Sequence, residues 1–397
     1  VIDVAATLDP ANGLVRRVMV RPPSGDADPL WTIGADIGNN DAVAMPDGFD
    51  MTWVGAAGFR RGRTLARAAG EAVERFALSP RQGPERPRAD RHDPDRHDPD
   101  RHDPPLIARS LADGSLTEVD AALVNYPPRD AVAHPDAGPS GAAAGATLAS
   151  AVDSACRELI ERDVAQRAWW ERASVERIAE AEVRAASRDV ARLLDATPTP
   201  TTSTTPTTRA STRIEHLELR RDGLPPVILC ALVDDRAGVA CAGLALEVDP
   251  ALAIEKATQE ALQVRSLLAD LRRLEGRTNA RVPLPVVGEL HRARYWASDA
   301  GVDALHAWLD KLPASRAVPA RPPATPFSAA VPDAVVVDLT PRLPRAIRDM
   351  GWHAVRAFSA SLQPLRMTDA PSSNLAPDLR GDRAVLDYGR RHPHPFV

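Results

Sequence analysis

The segment that decides the fold is Thr147-Leu-Ala-Ser-Ala-Val-Asp-Ser-Ala-Cys-Arg-Glu-Leu-Ile-Glu-Arg-Asp163. Its apolar residues recur at intervals of three and four, which is the pattern of an amphipathic helix. Because threonine is a favourable N-cap residue, we predict a helix that begins at Thr147 and runs to residue 172. Its predicted buried side consists of Leu148, Ala151, Val152, Ala155, Leu159 and Ile160.

This helix contains a pentapeptide, Glu158-Leu-Ile-Glu161-Arg162, that nearly recurs in a second predicted helix. The second helix spans residues 64–78 and contains Glu71-Ala-Val-Glu74-Arg75. In each copy the two glutamates are three residues apart, and the arginine follows the first glutamate by four. Residues with these spacings lie next to one another on one face of a helix.

A third helix is predicted to follow Asp249-Pro250, because aspartate is a good N-cap and proline a good first helical residue. It runs to about Leu274. Three polar residues on it are again spaced by four and three, namely Lys256, Glu260 and Gln263.

Two explanations fit these three helices. Glu71–Arg75 and Glu158–Arg162 are i,i+4 pairs, each of which stabilises an exposed helix by about 0.2–0.5 kcal/mol. Alternatively, the glutamates converge from three helices, and they could then stay ionised together only with added positive charge. Mg²⁺ bound to a polyphosphate would supply that charge. The sequence contains no GxxxxGK[ST] loop, which excludes a P-loop as the nucleotide site.

The rest of the chain mixes strands with helices. Alternating or short apolar segments predict strands at residues 14–20, 30–37, 213–220, 226–234, 238–247, 335–339 and 354–358. This order of elements favours an α+β or open α/β architecture.

Two segments have low complexity. Residues 84–105 contain Asp-Arg-His-Asp-Pro three times, and their histidines and carboxylates could bind a metal. Proline at every fifth position prevents a helix that would align those histidines, so a disordered insertion is the better prediction. Residues 197–212 form a Pro/Thr tract that we interpret as a flexible linker.

Composition excludes several classes of protein. The 397 residues carry a net charge of −5, which disfavours a nonspecific binder of nucleic acid or of an anionic membrane. The three cysteines are odd in number and have apolar neighbours, which argues against disulfides and zinc and predicts a reducing, cytoplasmic compartment. No segment is long and apolar enough for a membrane span.

The order of these motifs resembles that of the YcaO superfamily. The resemblance includes both Glu-x-x-Glu-Arg motifs and the third helix, and it continues through Val337-Asp-Leu-Thr340 to Leu362-Gln-Pro-Leu365. The tail, His392-Pro-His-Pro-Phe-Val397, is similar to the proline-rich end of the azoline-forming branch. The resemblance implies one α+β domain over residues 1–397, with mixed sheets and helices around a central nucleotide-binding cavity.

This resemblance implies an ATP- and Mg²⁺-dependent cyclodehydratase. Such an enzyme converts Cys, Ser or Thr of a ribosomally made precursor peptide to an azoline by phosphorylating a backbone amide oxygen. It also implies a partner protein that binds the leader of the precursor, because too few residues precede Gly13 for a leader-recognition domain. A homodimer is a further implication, and whether an azoline dehydrogenase follows is left open.

The resemblance also implies roles for individual residues. The metal ligands would be Glu71, Glu74, Glu158 and Glu161. The nucleotide would be bound by Arg75, Arg162, Lys256, Glu260 and Gln263. A proline-rich tail, residues 385–397, would bring Pro395 and Val397 to the active site, where the C-terminal carboxylate would accept a proton.

Four positions depart from the family pattern. Ala57 stands where the family often has lysine, and Arg67 stands where it has serine. Ala146 and Ser150 replace the usual asparagine and glutamate around Thr-Leu. In addition, Val397 replaces the preferred final proline. These departures keep open a second hypothesis, a degenerate YcaO subunit that scaffolds a partner without turning over ATP.

Overall fold

The structure is a computed structural model that describes residues 2–26, 28–38, 52–79, 104–128, 137–197, 211–276, 282–313, 316–317, 325–369 and 375–396. Most of the predicted insertion at residues 84–105, nearly all of the predicted linker at residues 197–212, and Val397 lie outside these ranges.

The helices within these ranges are α1 (Val4–Thr7), α2 (Arg61–Leu78), α3 (Ala121–Val124), α4 (Leu148–Trp169), α5 (Glu180–Ala186), α6 (Arg188–Ala196), α7 (Pro250–Glu275), α8 (Glu289–Trp296), α9 (Asp299–Lys311), α10 (Arg345–Asp349) and α11 (Arg383–Arg391). Short 3-10 helices occupy Pro10–Asn12, Phe327–Ala330, Thr340–Arg342 and Pro377–Leu379.

The strands are β1 (Arg17–Arg21), β2 (Trp31–Asp36), β3 (Trp53–Gly58), β4 (Leu106–Ser110), β5 (Leu116–Val119), β6 (Ala142–Gly145), β7 (Ser174–Ile178), β8 (Thr212–Arg220), β9 (Val227–Asp234), β10 (Val239–Ala245), β11 (Arg316–Ala317), β12 (Val335–Asp338) and β13 (His353–Phe358). They form three sheets, ordered β1-β2-β3, β10-β9-β8-β7-β11 and β5-β4-β12-β13-β6. All neighbours are antiparallel except β11 and β7, which are parallel. The predicted α+β class is confirmed.

The three glutamate-bearing helices form where the sequence predicts them. Thr147 caps α4, since its side chain accepts a hydrogen bond from the backbone N–H of Ser150 at 3.1 Å. Asp249 caps α7, and Pro250 is its first residue. Helix α2 begins at Arg61, three residues earlier than predicted, because its exposed first turn has no apolar periodicity to reveal it.

These helices pack against different sheets and meet between them. Helix α2 lies against the first sheet and β6, α4 against β6 and β13, and α7 against β9, β10 and also β3. Gly243 allows α7 to approach β10 closely, because an added Cβ there would stand 2.2 Å from the carbonyl oxygen of Ala257. Helices α2 and α4 thus share β6 and β13, and α7 contacts both the second sheet and β3 of the first.

The cysteines and the long helices have simple environments. Cys156, Cys230 and Cys241 are buried free thiols. Among the helices in the described ranges, none combines the length and apolar character that crossing a membrane would require.

Candidate active site

Helix α2 places its two glutamates at the margin of the core. Ala68 and Phe76 on its inner face are buried, and Glu71 and Glu74 lie beside them. Arg75 Nε donates to Glu71 Oε1 at 2.8 Å and lies 3.6 Å from Glu74 Oε1. The three polar side chains keep 33%, 16% and 22% of their surface exposed in the order of the sequence, so water can reach them.

Helix α4 contains a similar pair of glutamates and an arginine, but its second glutamate has a different partner. Arg162 Nε donates to Glu158 Oε1 at 3.4 Å, and both side chains are about one-fifth exposed. Glu161 turns toward the second sheet, where its Oε1 accepts a hydrogen bond from the backbone N–H of Leu246 at 2.6 Å. The second glutamate is therefore fixed by a strand end rather than by its neighbouring arginine.

Helix α7 contributes a carboxylate and an amide. Glu260 Oε2 accepts from the backbone N–H of Leu244 at 2.8 Å. Gln263 Oε1 accepts from the backbone N–H of Ala57 on β3 at 3.0 Å, which links α7 to the first sheet.

Lys256, also on α7, pairs with a residue that the sequence analysis did not single out. Its Nζ hydrogen-bonds Glu247 Oε1, which also accepts from Arg157 Nη1 at 2.8 Å. Lys256 thus pairs with Glu247 rather than with any of the five predicted glutamates.

Electrostatic interactions connect the three helices. Burial raises the pKa of Glu74 well above its ordinary value, and the charges of Glu71 and Glu158 raise it further. Burial likewise raises the pKa of Glu158, with Arg162 and Arg75 opposing the rise. The glutamates of α2 and α4 therefore share one region of negative potential.

Glu161, the second glutamate of α4, is likewise affected by burial and by a neighbouring carboxylate, which in this case comes from α7. Burial raises the pKa of Glu161 to about 7, and the charge of Glu260 adds to the rise despite the nearby Arg157 and Arg162. Predicted site residues from all three helices are thus brought together. The raised pKa values of Glu74, Glu158 and Glu161 indicate that the local arginines do not fully offset the negative charge around these three carboxyl groups.

Ala57 and Arg67, two departures from the family pattern, meet in space. Arg67 Nη1 donates to the carbonyl oxygen of Ala57 at 2.9 Å and to Gln259 Oε1 at 2.8 Å. Gly58 permits this arrangement, because an added Cβ there would lie 2.9 Å from Gln259 Oε1. The guanidinium of Arg67 thus bridges β3 and α7 beside the glutamates.

The other two departures lie at the start of α4. Ala146 and Ser150 are exposed. Ser150 completes a capping box with Thr147, since its Oγ accepts from the Thr147 N–H at 3.1 Å. Ser150 therefore has a local role in starting the helix.

Sequence reasoning missed two further residues near the glutamates. Arg356 on β13 is 4% exposed, and burial lowers its pKa to about 10 although Glu158 and Glu74 oppose the shift. Tyr126 packs against Arg75 and donates a hydrogen bond to Glu289. Arg356 lies on a short strand, and Tyr126 follows the four-residue helix α3. No periodic pattern in the sequence therefore predicts that either residue belongs to the site.

The tail is packed into the protein interior. Helix α11 includes residues 385–391, so the proline-rich part begins at His392. Trp169 Nε1 donates to the His392 carbonyl at 2.8 Å, and Trp296 Nε1 donates to the His394 carbonyl at 2.7 Å. The charge of Arg162 is one of several that act on buried His394, so the tail passes near the glutamates. Pro395 is buried and Val397 lies outside the described residues, so the proton-acceptor role stays a prediction.

The donor set suits Mg²⁺ bound together with phosphate. Within the described ranges, no three His, Cys, Asp or Glu side chains are arranged as a ready-made metal site. Mg²⁺ commonly binds through one or two carboxylates and completes its shell with water and phosphate oxygens, so it does not need such a trio. Glu71, Glu74 and Glu158 are partly accessible carboxylates, and they match that requirement.

Solved structures provide a comparison for the whole fold. A heterocyclase in complex with substrate and cofactor matches with a TM-score of 0.62 and 17% identity over 92% of this chain, which spans about half (52%) of the length of that heterocyclase. YcaO from Methanopyrus kandleri bound with AMPPCP and Mg²⁺ matches with a TM-score of 0.55, 17% identity and 93% coverage of both chains. The E. coli microcin synthetase McbBCD complex with pro-MccB17 bound matches with a TM-score of 0.57, 12% identity and 96% coverage of both chains.

These likenesses establish the fold, and the predicted YcaO architecture is confirmed by them. No curated protein matches the sequence significantly. A sequence model of the family described as YcaO cyclodehydratase, ATP- and Mg²⁺-binding, matches residues 56–363. This range is well over half of the chain and contains all three glutamate-bearing helices. The chain therefore belongs to the YcaO family.

Proposed function

We propose that this protein is an ATP-dependent cyclodehydratase that forms azolines in a ribosomally made precursor peptide. The observation that supports this proposal most directly is the electrostatic interaction between glutamates of three helices, Glu74 on α2 with Glu158 on α4, and Glu161 on α4 with Glu260 on α7. Family membership agrees with it, and the heterocyclase and microcin synthetase structures have the same fold.

In the proposed reaction, the side chain of a Cys, Ser or Thr residue gives up its S–H or O–H proton to a base, and its sulfur or oxygen adds to the carbonyl carbon of the preceding residue. The resulting oxyanion attacks the γ-phosphorus of ATP, and ADP leaves. Loss of the amide proton and of phosphate then creates the C=N bond of the azoline. The oxygen atom leaves as phosphate, which is a far better leaving group than hydroxide.

In this proposal the residues of α2, α4 and α7 position the triphosphate. Mg²⁺, when bound, would neutralise phosphate charge, and Glu71, Glu74, Glu158 and Glu161 would hold it. The nucleotide side of the site would comprise Arg75, Arg162, Lys256, Glu260 and Gln263. Fixed donors and charges of this kind lower the barrier without reorganising during the reaction.

The test combines the protein with Mg²⁺, ATP, the precursor peptide encoded beside its gene, and the leader-binding partner that the proposal includes. We expect phosphate release and the loss of one water mass per ring. Glu74→Gln and Glu161→Gln should abolish both signals. The matched control is Arg63→Met, because Arg63 is exposed on α2 and has no hydrogen bond or ion pair within the described residues. Intact peptide mass with no phosphate release would contradict the proposal.

A second candidate is a scaffold subunit that does not turn over ATP. The observation that favours it is the start of α4, where Ala146 and Ser150 stand in place of the usual asparagine and glutamate and Ser150 completes a helix cap. If the scaffold is correct, the protein binds the precursor peptide or the leader-binding partner, whereas Mg²⁺-ATP fails to bind at millimolar concentration.

A further inference from the structure

Arg67 has hydrogen-bonding capacity that the protein does not use. A guanidinium has five N–H donors, and the two hydrogen bonds of Arg67 both come from Nη1. Within the described part of the chain, its Nε and Nη2 donate to no acceptor, and the side chain forms no ion pair. The residue is partly buried, and Nε and Nη2 are not among the unpartnered nitrogens that are sealed from solvent, so their three N–H donors remain accessible to a ligand.

The carboxylates around Arg67 are occupied by other donors. The charges of Glu260, Glu71, Glu247 and Glu255 all act on Arg67, while burial lowers its pKa. Glu71 pairs with Arg75, Glu247 with Lys256 and Arg157, and Glu260 with the Leu244 N–H; Glu255 accepts from Ser187 and Gln259. A cation is therefore held among acidic groups while its own donors stay available.

Gln259 fixes the position of this cation. Its Oε1 accepts from Arg67, while its Nε2 donates to Glu255 Oε1 at 3.0 Å, so both ends of the amide are engaged. On the other side, the backbone carbonyl of Ala57 accepts from the same Nη1. By contrast, Arg75 and Arg162 are each paired with a glutamate of their own helix.

We propose that Arg67 is a phosphate-binding cation of this site, and that its Nε and Nη2 donate to oxygens of a polyphosphate bound with Mg²⁺. The planar guanidinium suits such oxygens because it can donate to two of them at once. The metal that accompanies the polyphosphate offsets the surrounding carboxylates. This inference deepens the proposed function, since it rests on a nucleotide polyphosphate as ligand.

The test measures binding by calorimetry in the presence of Mg²⁺, with ATP, inorganic tripolyphosphate and adenosine as separate probes. Arg67→Met should weaken the binding of ATP and tripolyphosphate by about 10- to 100-fold, as expected for lost hydrogen bonds to a charged ligand. Adenosine binding should not change. Arg67→Lys should fall between wild type and Arg67→Met, because it keeps the charge but loses the fork geometry.

Arg63→Met is the matched control, since it removes the same charge one turn away on α2 and should bind all three probes as wild type does. Thermal unfolding identifies variants that fail to fold. If Arg67→Met fails to fold, Arg67→Lys alone still tests the inference. Unchanged or tighter tripolyphosphate binding by Arg67→Met or Arg67→Lys would overturn the inference, as would wild-type protein that binds neither ATP nor tripolyphosphate. If binding depends on Arg67 but no azoline forms, phosphate binding by Arg67 is supported and the proposed reaction is refuted.

Discussion

Glu161 is a carboxyl group whose surroundings favour its protonated form. Burial raises its pKa from 4.5 to about 7. The folded state therefore binds this proton more tightly than the unfolded state does. It follows that Glu161 makes the ligand-free protein lose stability as the pH rises from 4.5 to about 7.

Glu161→Gln removes this titration, so the variant should lose less stability than wild type over that pH range. Thermal unfolding between about pH 5 and 8 measures the difference. Some pH dependence should remain, because Glu74 and Glu158 also have raised pKa values. Parallel wild-type and variant curves would contradict the assignment.

At the scale of elements, the approach of α7 to β10 depends on a glycine. An added Cβ at Gly243 would stand 2.2 Å from the Ala257 carbonyl oxygen and 2.4 Å from the Ala261 nitrogen. These are backbone atoms, so α7 itself must shift. Gly243→Ala should therefore lower the free energy of unfolding by about 1–3 kcal/mol. It should also weaken Mg²⁺-ATP binding, because Glu260 moves with the helix.

Gly62 on α2 provides the control for this prediction. No atom lies within 4 Å of a Cβ added there. Gly62→Ala should stabilise the protein by about 0.5–1 kcal/mol, since alanine loses less conformational freedom than glycine in a helix. Chemical denaturation of both variants measures the two effects. Equal effects would refute the packing argument.

The tail is attached to α8 by an indole hydrogen bond. Trp296→Phe removes the donor to the His394 carbonyl, with Arg292 Nη1 remaining as a second donor at 3.3 Å. We expect a loss of about 1 kcal/mol in stability and faster protease cleavage near residue 392. Trp31→Phe is the control, because Trp31 lies on β2 in the first sheet and within the described residues its indole N–H makes no hydrogen bond. Equal cleavage rates would contradict this role of Trp296.

Helices could be predicted from the sequence because their signals are local. The spacing in Glu158-Leu-Ile-Glu161-Arg162 and the caps at Thr147 and Asp249 lie within single segments, and all three glutamate-bearing helices are confirmed. The partners of these residues come from distant segments. Glu247 lies in the connection between β10 and α7, and Arg356 lies on β13; no local periodicity predicts that they approach Lys256 and Glu158.

At the scale of the whole molecule, Asp163 connects distant parts of the chain. Its side chain is fully buried on α4 and accepts from Arg167, from Arg221 after β8 and from the Gln363 N–H. Arg167 in turn pairs with Asp378 at 2.7 Å. One carboxylate thus joins α4 to the second sheet and to the C-terminal segment.

Asp163→Ala would leave the guanidinium of Arg167 buried without this partner. We expect a loss of about 3–5 kcal/mol in the free energy of unfolding, measured by urea denaturation. The control is Glu180→Ala, which breaks an exposed pair with Arg184 and should cost at most about 1 kcal/mol. A loss for Asp163→Ala as small as that of the control would contradict the connecting role.

The strand order β5-β4-β12-β13-β6 has a consequence for biosynthesis. Strands β4 and β6 emerge from the ribosome some two hundred residues before β12 and β13, which lie between them in the finished sheet. Until then the nascent chain keeps unpaired strand edges in water, where they can pair with other chains. Because this sheet pairs strands that are far apart in the sequence, we expect it to fold slowly. Chaperones that shield the unpaired edges should therefore raise the yield of native protein.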